Sequence, residues 1–430
     1  MRELVDVVVV GAGLSGLVAA RDLKRAGVGV LVLEAAERCG GRAYTVTSAL
    51  GSHLDLGGQW VGHDHHRLAA LADEFGATCF PMHTSFAPTL VHNSRRVRLL
   101  SPTVTVAIGY LIALNIARHT RRPDKWNTTT VREWLGKVPG RARRLLEVAA
   151  LISWTADLER VSVRTMMSLI KKQGGLVTML STKGGAQDRL IVEGVGYLAL
   201  RIADELGTAV RTSTTVTKIV QTPDAVVVHT SSGEVRTRQV VITVPPPMAS
   251  RILHEPALPP ERVALEEGTF MGSVYKAIAV YPEPFWRKSA KGELVLLDRP
   301  GIGVFDTSAP QGPGHLCLLI GGTEAEDLDN MDPSERQEML LLRLAEHLGE
   351  QVLTPTDWHE KSWHLDPHAG GGYLALPTCG ASEPDLPLAA QAIGRLHWAG
   401  TETASDHPGY LDGAIEAGER AAREVAEALT

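Results

Sequence analysis

The chain has 430 residues, 44% of them hydrophobic and 21% charged, with 43 basic and 49 acidic side chains and a net charge of −6. That is the make-up of a soluble globular protein, long enough for two or three domains at roughly 150 residues each. It argues against a nucleic-acid binder, which carries a basic face; four scattered cysteines without a Cys-x-x-Cys pair argue against a zinc ribbon or a redox dithiol and fit a reducing, cytoplasmic compartment.

Residues 5–10, Val-Asp-Val-Val-Val-Val, read as a strand buried on both faces. They lead straight into glycines, so no secretory leader is expected. Gly11, Gly13 and Gly16 follow, then a helical pattern to about Ala26, stopped by Gly27. A second strand over 28–33 ends at Glu34. Strand, G-x-G-x-x-G loop, helix, strand and a closing acid together mark a dinucleotide site. Gly11 allows the tight turn, Gly13 the approach of a pyrophosphate, and Gly16 close packing of the helix. The helix N-terminus offers free N–H groups to phosphate, and the Ser15 hydroxyl adds a donor. Glu34 would accept from ribose hydroxyls and repel a 2′-phosphate. The alternative is a glycine-rich turn without a ligand.

Two further glycine pairs follow, in Cys39-Gly40-Gly41-Arg42 and Leu56-Gly57-Gly58-Gln59. Arg42 would neutralise a pyrophosphate through a bidentate contact, with Gly58 and Gln59 along the cofactor. One such loop suits NAD and FAD alike; three suit the longer FAD. His63-Asp64-His65-His66 has ligand-type residues, but adjacent histidines do not converge well on one ion. No metal is expected there, and Asp64 is read as the cap of a helix beginning near Arg67.

Residues 65–190 are mostly helical in pattern, with polar breaks at 121–130 and 174–175. The apolar stretch 104–117 falls short of the roughly 20 residues needed to cross a bilayer. A helix is predicted over 194–206 and strands over 209–221, 224–231 and 234–244, with a Ser232-Gly233 hairpin turn. Pro245, Pro246 and Pro247 end that run. Strands over 272–281 and 292–306, a helix over 333–348, a strand over 395–400 and a helix over 414–429 complete the chain. The fold class read from this order is α/β: a Rossmann-like FAD-binding domain of residues 1–80, 193–270 and 388–430. A mixed α+β substrate domain of residues 81–192 and 271–387 is inserted into it.

Three separated blocks, in order, resemble the flavin-containing amine oxidase family, and most closely its monoamine oxidase branch. The first is Val-Val-Val-Val-Gly-Ala-Gly-Leu-Ser-Gly at 7–16 with Gly-Gly-Arg-Ala-Tyr-Thr at 40–45. The second is Gly272-Ser273-Val274-Tyr275-Lys276 with Glu283-Pro284-Phe285-Trp286-Arg287-Lys288. The third is Ala399-Gly400-Thr401-Glu402-Thr403-Ala404 with Gly409-Tyr410 and Gly418-Glu419-Arg420-Ala421-Ala422.

The resemblance implies a two-domain, glutathione reductase-like FAD fold. It places Gly400, Thr401 and Glu402 near the flavin end of FAD, with Leu411 and the N-terminus of the closing helix aimed at the isoalloxazine. Val216 would lie near the adenine. Taken alone, Glu402 could equally be an ordinary helix N-terminal carboxylate. Tyr373 and Tyr410 fall where paired aromatic rings flank the amine, against the alternative of two core tyrosines. Lys276 would reach the flavin N5 through a water, against the alternative of an edge-strand lysine. Trp363 would flank the flavin, or be core.

The resemblance also gives a pocket wall of Ile152, Leu180, Gln187 and Phe305. Such an apolar wall suits a hydrophobic or aromatic monoamine; Asp306 keeps a diamine open. Gly372 stands where animal monoamine oxidases carry their flavin-linking cysteine, so FAD would be non-covalent, and no membrane-anchoring C-terminal helix like theirs is expected. The implied reaction oxidises an amine to an imine, hydrolysed to an aldehyde or ketone, with O2 reduced to H2O2. A putrescine, polyamine or hydroxynicotine-type oxidase and an amine-oxidising enzyme of secondary metabolism stay open, as do an NAD-dependent dehydrogenase and a flavin-bound interaction protein without turnover. The expected partners are a small-molecule amine and O2, not nucleic acid or a membrane; a homodimer is left open.

Overall fold

A computed structural model describes residues 3–84, 88–117, 119, 123–288 and 293–430. The β-branched run forms the strand Glu3–Val10, parallel to Val30–Leu33 on one side and to Gly233–Ile242 on the other. The helix Leu14–Arg25 connects the first two strands. It buries Leu17, Val18 and Leu23 in one core with the helices Val195–Leu206 and Leu411–Leu429. An antiparallel meander, Val216–Gln221, Val226–Thr230 and Gly233–Ile242, extends this sheet, and Leu396–Trp398 joins it parallel to Gly233–Ile242. The glycine loop therefore sits at the carboxyl end of a central parallel strand, where open α/β sheets bind their ligands.

A second sheet of seven strands is built around Val274–Tyr281, with Gly314–Gly321 on one side and Asp357–Ser362 on the other. Every residue of Val274–Tyr281 is buried, as expected of a strand covered on both faces. Its two faces serve different cores. Tyr275, Ala277 and Ala279 pack with the helix Pro333–Leu348, while Val274 and Ile278 pack with Trp363 and Leu54. Strand alternation puts Lys276 on the second of these faces.

Three expectations are corrected. The stretch over 292–306 is not one strand: Leu294–Leu296 and Ile302–Asp306 pair antiparallel, because Pro300 and Gly301 turn the chain between them. Gly292, its predicted start, and residues 121–122 of the predicted polar break lie outside the described residues. The closing helix begins at Leu411, three residues before the predicted start. The strand Gly314–Gly321 has no counterpart among the predicted elements. The apolar stretch 104–117 lies in the 16-residue helix Pro102–Ala117, and no helix among the described residues is long and apolar enough to cross a membrane.

Candidate active site and cofactor cleft

One continuous cavity is lined by the glycine loop and by Glu34 and Val216, and equally by Lys276, Trp363, Tyr373 and Tyr410. The loop is built for a close ligand. Gly11 has φ +102°, and a Cβ on Gly16 would lie 2.1 Å from the Gly11 carbonyl oxygen. A Cβ on Gly13 would meet nothing within 4 Å, and Gly13 opens the helix Leu14–Arg25 with no side chain capping it. Free helix N–H groups thus face the cavity. The Gly40 N–H donates to the Ala12 carbonyl at 2.8 Å, and a Cβ on Gly41 would lie 3.2 Å from the Gly13 Cα. Two of the three glycine pairs therefore form one cradle. The Glu34 carboxylate accepts from the N–H groups of Ala12 at 2.6 Å and Ala36 at 2.8 Å. A carboxylate has about four acceptor positions, so two remain for hydroxyls of a ribose.

This cradle fits a dinucleotide and gives a paired prediction. Gly13→Ala folds normally, because its methyl group enters open space, but loses cofactor. Gly16→Ala also lowers the melting temperature, because its methyl group meets backbone. Cofactor content by absorbance and thermal melts of both purified variants check this.

Arg42 lines the cavity and has a distant protein partner as well. Its guanidinium donates to Glu402 at 2.7 and 3.2 Å and to the Tyr373 carbonyl at 2.7 Å. These bonds engage three of its five N–H groups, so two remain for a pyrophosphate. Glu402, 1% exposed, also accepts from the Ala375 N–H at 3.0 Å. Burial opposes its ionisation, but the Arg42 charge and these hydrogen bonds outweigh burial and hold its carboxyl below the ordinary value. It lies in the short turn Thr401–Thr403, so it caps no long helix. Glu402 and Arg42 thus join the chain's third block to its second glycine pair and to Tyr373.

Ser15 makes a parallel join, its hydroxyl accepting from the Gly400 N–H at 3.0 Å. The Thr401 hydroxyl accepts from Gly409 N–H at 2.7 Å and donates to the Tyr410 carbonyl at 2.8 Å. Gly58, Gln59, Gly400, Thr401 and Leu411 line the cavity, and the closing helix enters it with no side chain capping its start. A Cβ on Gly58 would come within 3.2 Å of the Leu411 side chain, which would have to shift slightly to admit it. The Trp363 indole donates to the Leu56 carbonyl at 2.7 Å.

Lys276 is 3% exposed and sits in a central strand, so the edge-strand alternative fails. Its Nζ donates to the Gly57 carbonyl at 2.9 Å and to Gln59 Oε1 at 2.5 Å. Burial lowers its pKa from the ordinary lysine value. Tyr373 is anchored through its hydroxyl, which donates to the Ile152 carbonyl at 3.0 Å, and through its N–H to Thr155 Oγ1 at 3.0 Å. Burial raises the pKa of both Tyr373 and Tyr410, so both phenols stay protonated. Gly372 lines the cavity, and among the described residues no cysteine does.

Of the predicted wall, Ile152 and Gln187 line the cavity. Leu180 does not: it is 41% exposed, and its neighbour Met179 takes the inward position on the one-and-a-half-turn helix Leu176–Leu180. Phe305 also lies off the lining, packed edge-on against Trp60 at 5.2 Å between ring centroids. Trp60, Ser153 and Ala186 line the cavity and escaped sequence reasoning; each neighbours a residue that it had singled out. Asp306 cannot serve a diamine. It is fully buried and accepts from Arg287 at 2.6 and 2.9 Å and from the Trp286 indole at 2.9 Å. Among the described residues the only carboxylates on the lining are Glu34 and Asp366, and Asp366 is held by Lys361 at 2.9 Å.

Asp64 is not a helix cap. The helix is His66–Glu74, preceded by His65 without a side-chain cap, and Asp64 instead pairs with His407 at 3.1 Å. Sequence spacing could not reveal that distant partner.

A family profile described as flavin containing amine oxidoreductase matches residues 14–426. The flavin-containing amine oxidase B of Canis lupus familiaris is 34% identical over 453 residues, covering 99% of this chain and 86% of the relative. The probable flavin-containing monoamine oxidase A of Dictyostelium discoideum is 31% identical, covering 100% of this chain and 99% of the relative. Among solved structures, cyclohexylamine oxidase from Brevibacterium oxydans IH-35A superposes with a TM-score of 0.94 at 29% identity, with 99% of each chain covered. An engineered putrescine oxidase superposes with a TM-score of 0.90 at 25% identity, again with 99% of each chain covered.

Proposed function

The chain belongs to the flavin-containing amine oxidoreductase family and is an FAD-dependent amine oxidase; from that premise we propose that it acts on a hydrophobic or aromatic monoamine and holds FAD without a covalent bond. The observation that carries the substrate reading is the wall beside Tyr373 and Tyr410. Ile152, Met179, Ala186 and Trp60 supply apolar lining, Ser153 and Gln187 are neutral, and among the described residues no carboxylate of the lining belongs to this group. An amine entering such surroundings is favoured in its neutral form, the form with a lone pair. The glycine cradle, Glu34, Val216, Gly58, Trp363 and Leu411 would hold the cofactor, within a unit formed by residues 1–80, 193–270 and 388–430.

The flavin, when bound, would supply the two-electron chemistry that turns amine and O2 into imine and H2O2, the imine then being hydrolysed by water. The protein's part is orientation and electrostatics. Tyr373 is fixed by three bonds from its own backbone and hydroxyl, so its ring presents one geometry to the amine. Tyr410 opens the closing helix, whose free N–H groups favour negative charge at the cofactor. Lys276 uses two N–H groups on Gly57 and Gln59, and its third can hold a water in the cavity. Gly372 on the lining, with no cysteine there among the described residues, supports non-covalent attachment; acid precipitation should leave the yellow colour in the supernatant.

A panel of amines with peroxide readout tests the substrate reading. Cyclic or arylalkyl monoamines should exceed putrescine in kcat/KM by at least about 100-fold, because a buried, unpaired ammonium costs several kcal/mol. Equal or better rates with putrescine would overturn it.

A further inference from the structure

The Tyr410 ring lines the cavity, and His65 packs against it from outside the lining, ring centroids 4.8 Å apart and planes at 54°. His65 is 1% exposed. Its ring lies so close to Gly62 that a Cβ there would come within 2.9 Å of it, and His407 packs edge-on to it at 5.0 Å. His65 Nδ1 accepts the Gly62 N–H at 2.8 Å. A neutral imidazole that accepts at Nδ1 carries its proton on Nε2. Burial, with the neighbouring His407 charge, holds the His65 pKa down to about 3, so the ring stays neutral.

Asp64, His65 and His407 bring ligand-type atoms within 4.8 Å of one another. An ion at His65 would need the Nε2 lone pair, where this tautomer carries its proton. Moving that proton to Nδ1 would set it against the Gly62 N–H. A metal-bound histidine instead donates its other N–H to an acceptor. The cluster is therefore better built as a support than as an ion site.

We propose that His65 is a positioning residue for Tyr410: clamped between Gly62 and His407 in one tautomer, it fixes the plane of the tyrosine that orients the amine. The proposal rests on the amine oxidase reading above. Orienting groups must hold their geometry to within about 10–20°, and a ring locked by one hydrogen bond and two packing surfaces supplies that behind Tyr410. The Asp64–His407 pair at 3.1 Å anchors the far side of the clamp.

The test uses holoenzyme variants His65→Phe, His65→Gln, Tyr410→Ala and the double variant His65→Phe/Tyr410→Ala. Anaerobic flavin reduction by the best monoamine is followed, with 15N spectra of the histidines as a readout independent of turnover. Phenylalanine keeps a ring but loses the acceptor for Gly62, and should slow reduction about tenfold while amine affinity changes less. Glutamine can accept the Gly62 N–H, and should recover the rate to within about threefold of wild type. In the Tyr410→Ala background, His65→Phe should cause no further loss. The 15N shifts of His65 should stay those of a neutral Nε2–H ring from pH 5 to 9.

Full additivity of the two substitutions, wild-type rates in both His65 variants, a protonating His65, or stoichiometric zinc retained by wild type and lost with His65 would each overturn the proposal. If no amine reduces the wild-type flavin, the amine oxidase reading itself falls; wild-type reduction with unaffected His65 variants sinks the positioning role alone.

Discussion

Lys276→Met is expected to slow amine turnover by about 10²–10³-fold while FAD stays bound, the size of effect seen when one preorganised donor is removed from a water-poor site. The side chain is deeply buried in the middle of a covered strand, where an amino group is costly without partners. Its partners, the Gly57 carbonyl and Gln59 Oε1, both come from the third glycine pair and its neighbour, so the lysine also ties the second sheet to the cofactor cleft. Methionine keeps the length and the apolar stem and removes only the donors and the charge. Two acceptors are then left unpaired, at about 1–3 kcal/mol each if they stay dry, so a lower melting temperature is expected as well. The two effects separate cleanly in stopped-flow measurements. A structural lysine would lower the melting point and leave the reduction and reoxidation rates of the folded enzyme alone. Unchanged rates of both half-reactions would remove Lys276 from the mechanism.

The parts of this site that the sequence displayed are those that chemistry forces to be local. Glycine loops show because only backbone without a Cβ can make them: Gly16 would drive a methyl group into the Gly11 carbonyl, and the spacing of the two is fixed by one turn of chain. Lys276 stood out because a lysine inside an unbroken apolar run conflicts with its surroundings unless it has work there. What stayed hidden depended on partners far along the chain. The carboxylate that holds Arg42 in place could not be seen because Glu402 lies 360 residues away. Asp64 looked like a cap because nothing local announced His407. The pocket wall failed for a different reason. On a helix as short as Leu176–Leu180 a one-residue error in phase exchanges the inward and outward faces, which turned Leu180 out and Met179 in. Phe305 missed by one layer, standing behind Trp60.

Glu402→Ala should be the most destabilising single change in the cleft, by about 3–5 kcal/mol, since it strands a guanidinium beside a buried backbone carbonyl. The Ala375 N–H loses its acceptor in the same step. Because Arg42 also holds the Tyr373 carbonyl, Tyr373 and the glycine cradle should loosen together, and FAD occupancy should fall with stability. Glu402→Gln is the finer probe, because it keeps shape and one acceptor but not charge. The folded carboxyl sits below its ordinary 4.5, so its stabilising contribution is present above that pH and is lost as pH falls through the lowered value. Chemical denaturation of the wild type from pH 7 downward should therefore show stability declining below about pH 4.5, and Glu402→Gln should start lower and decline less over that range. Parallel pH profiles for the two proteins would mean that Glu402 is already protonated in the fold, and the ion pair with Arg42 would have to be withdrawn.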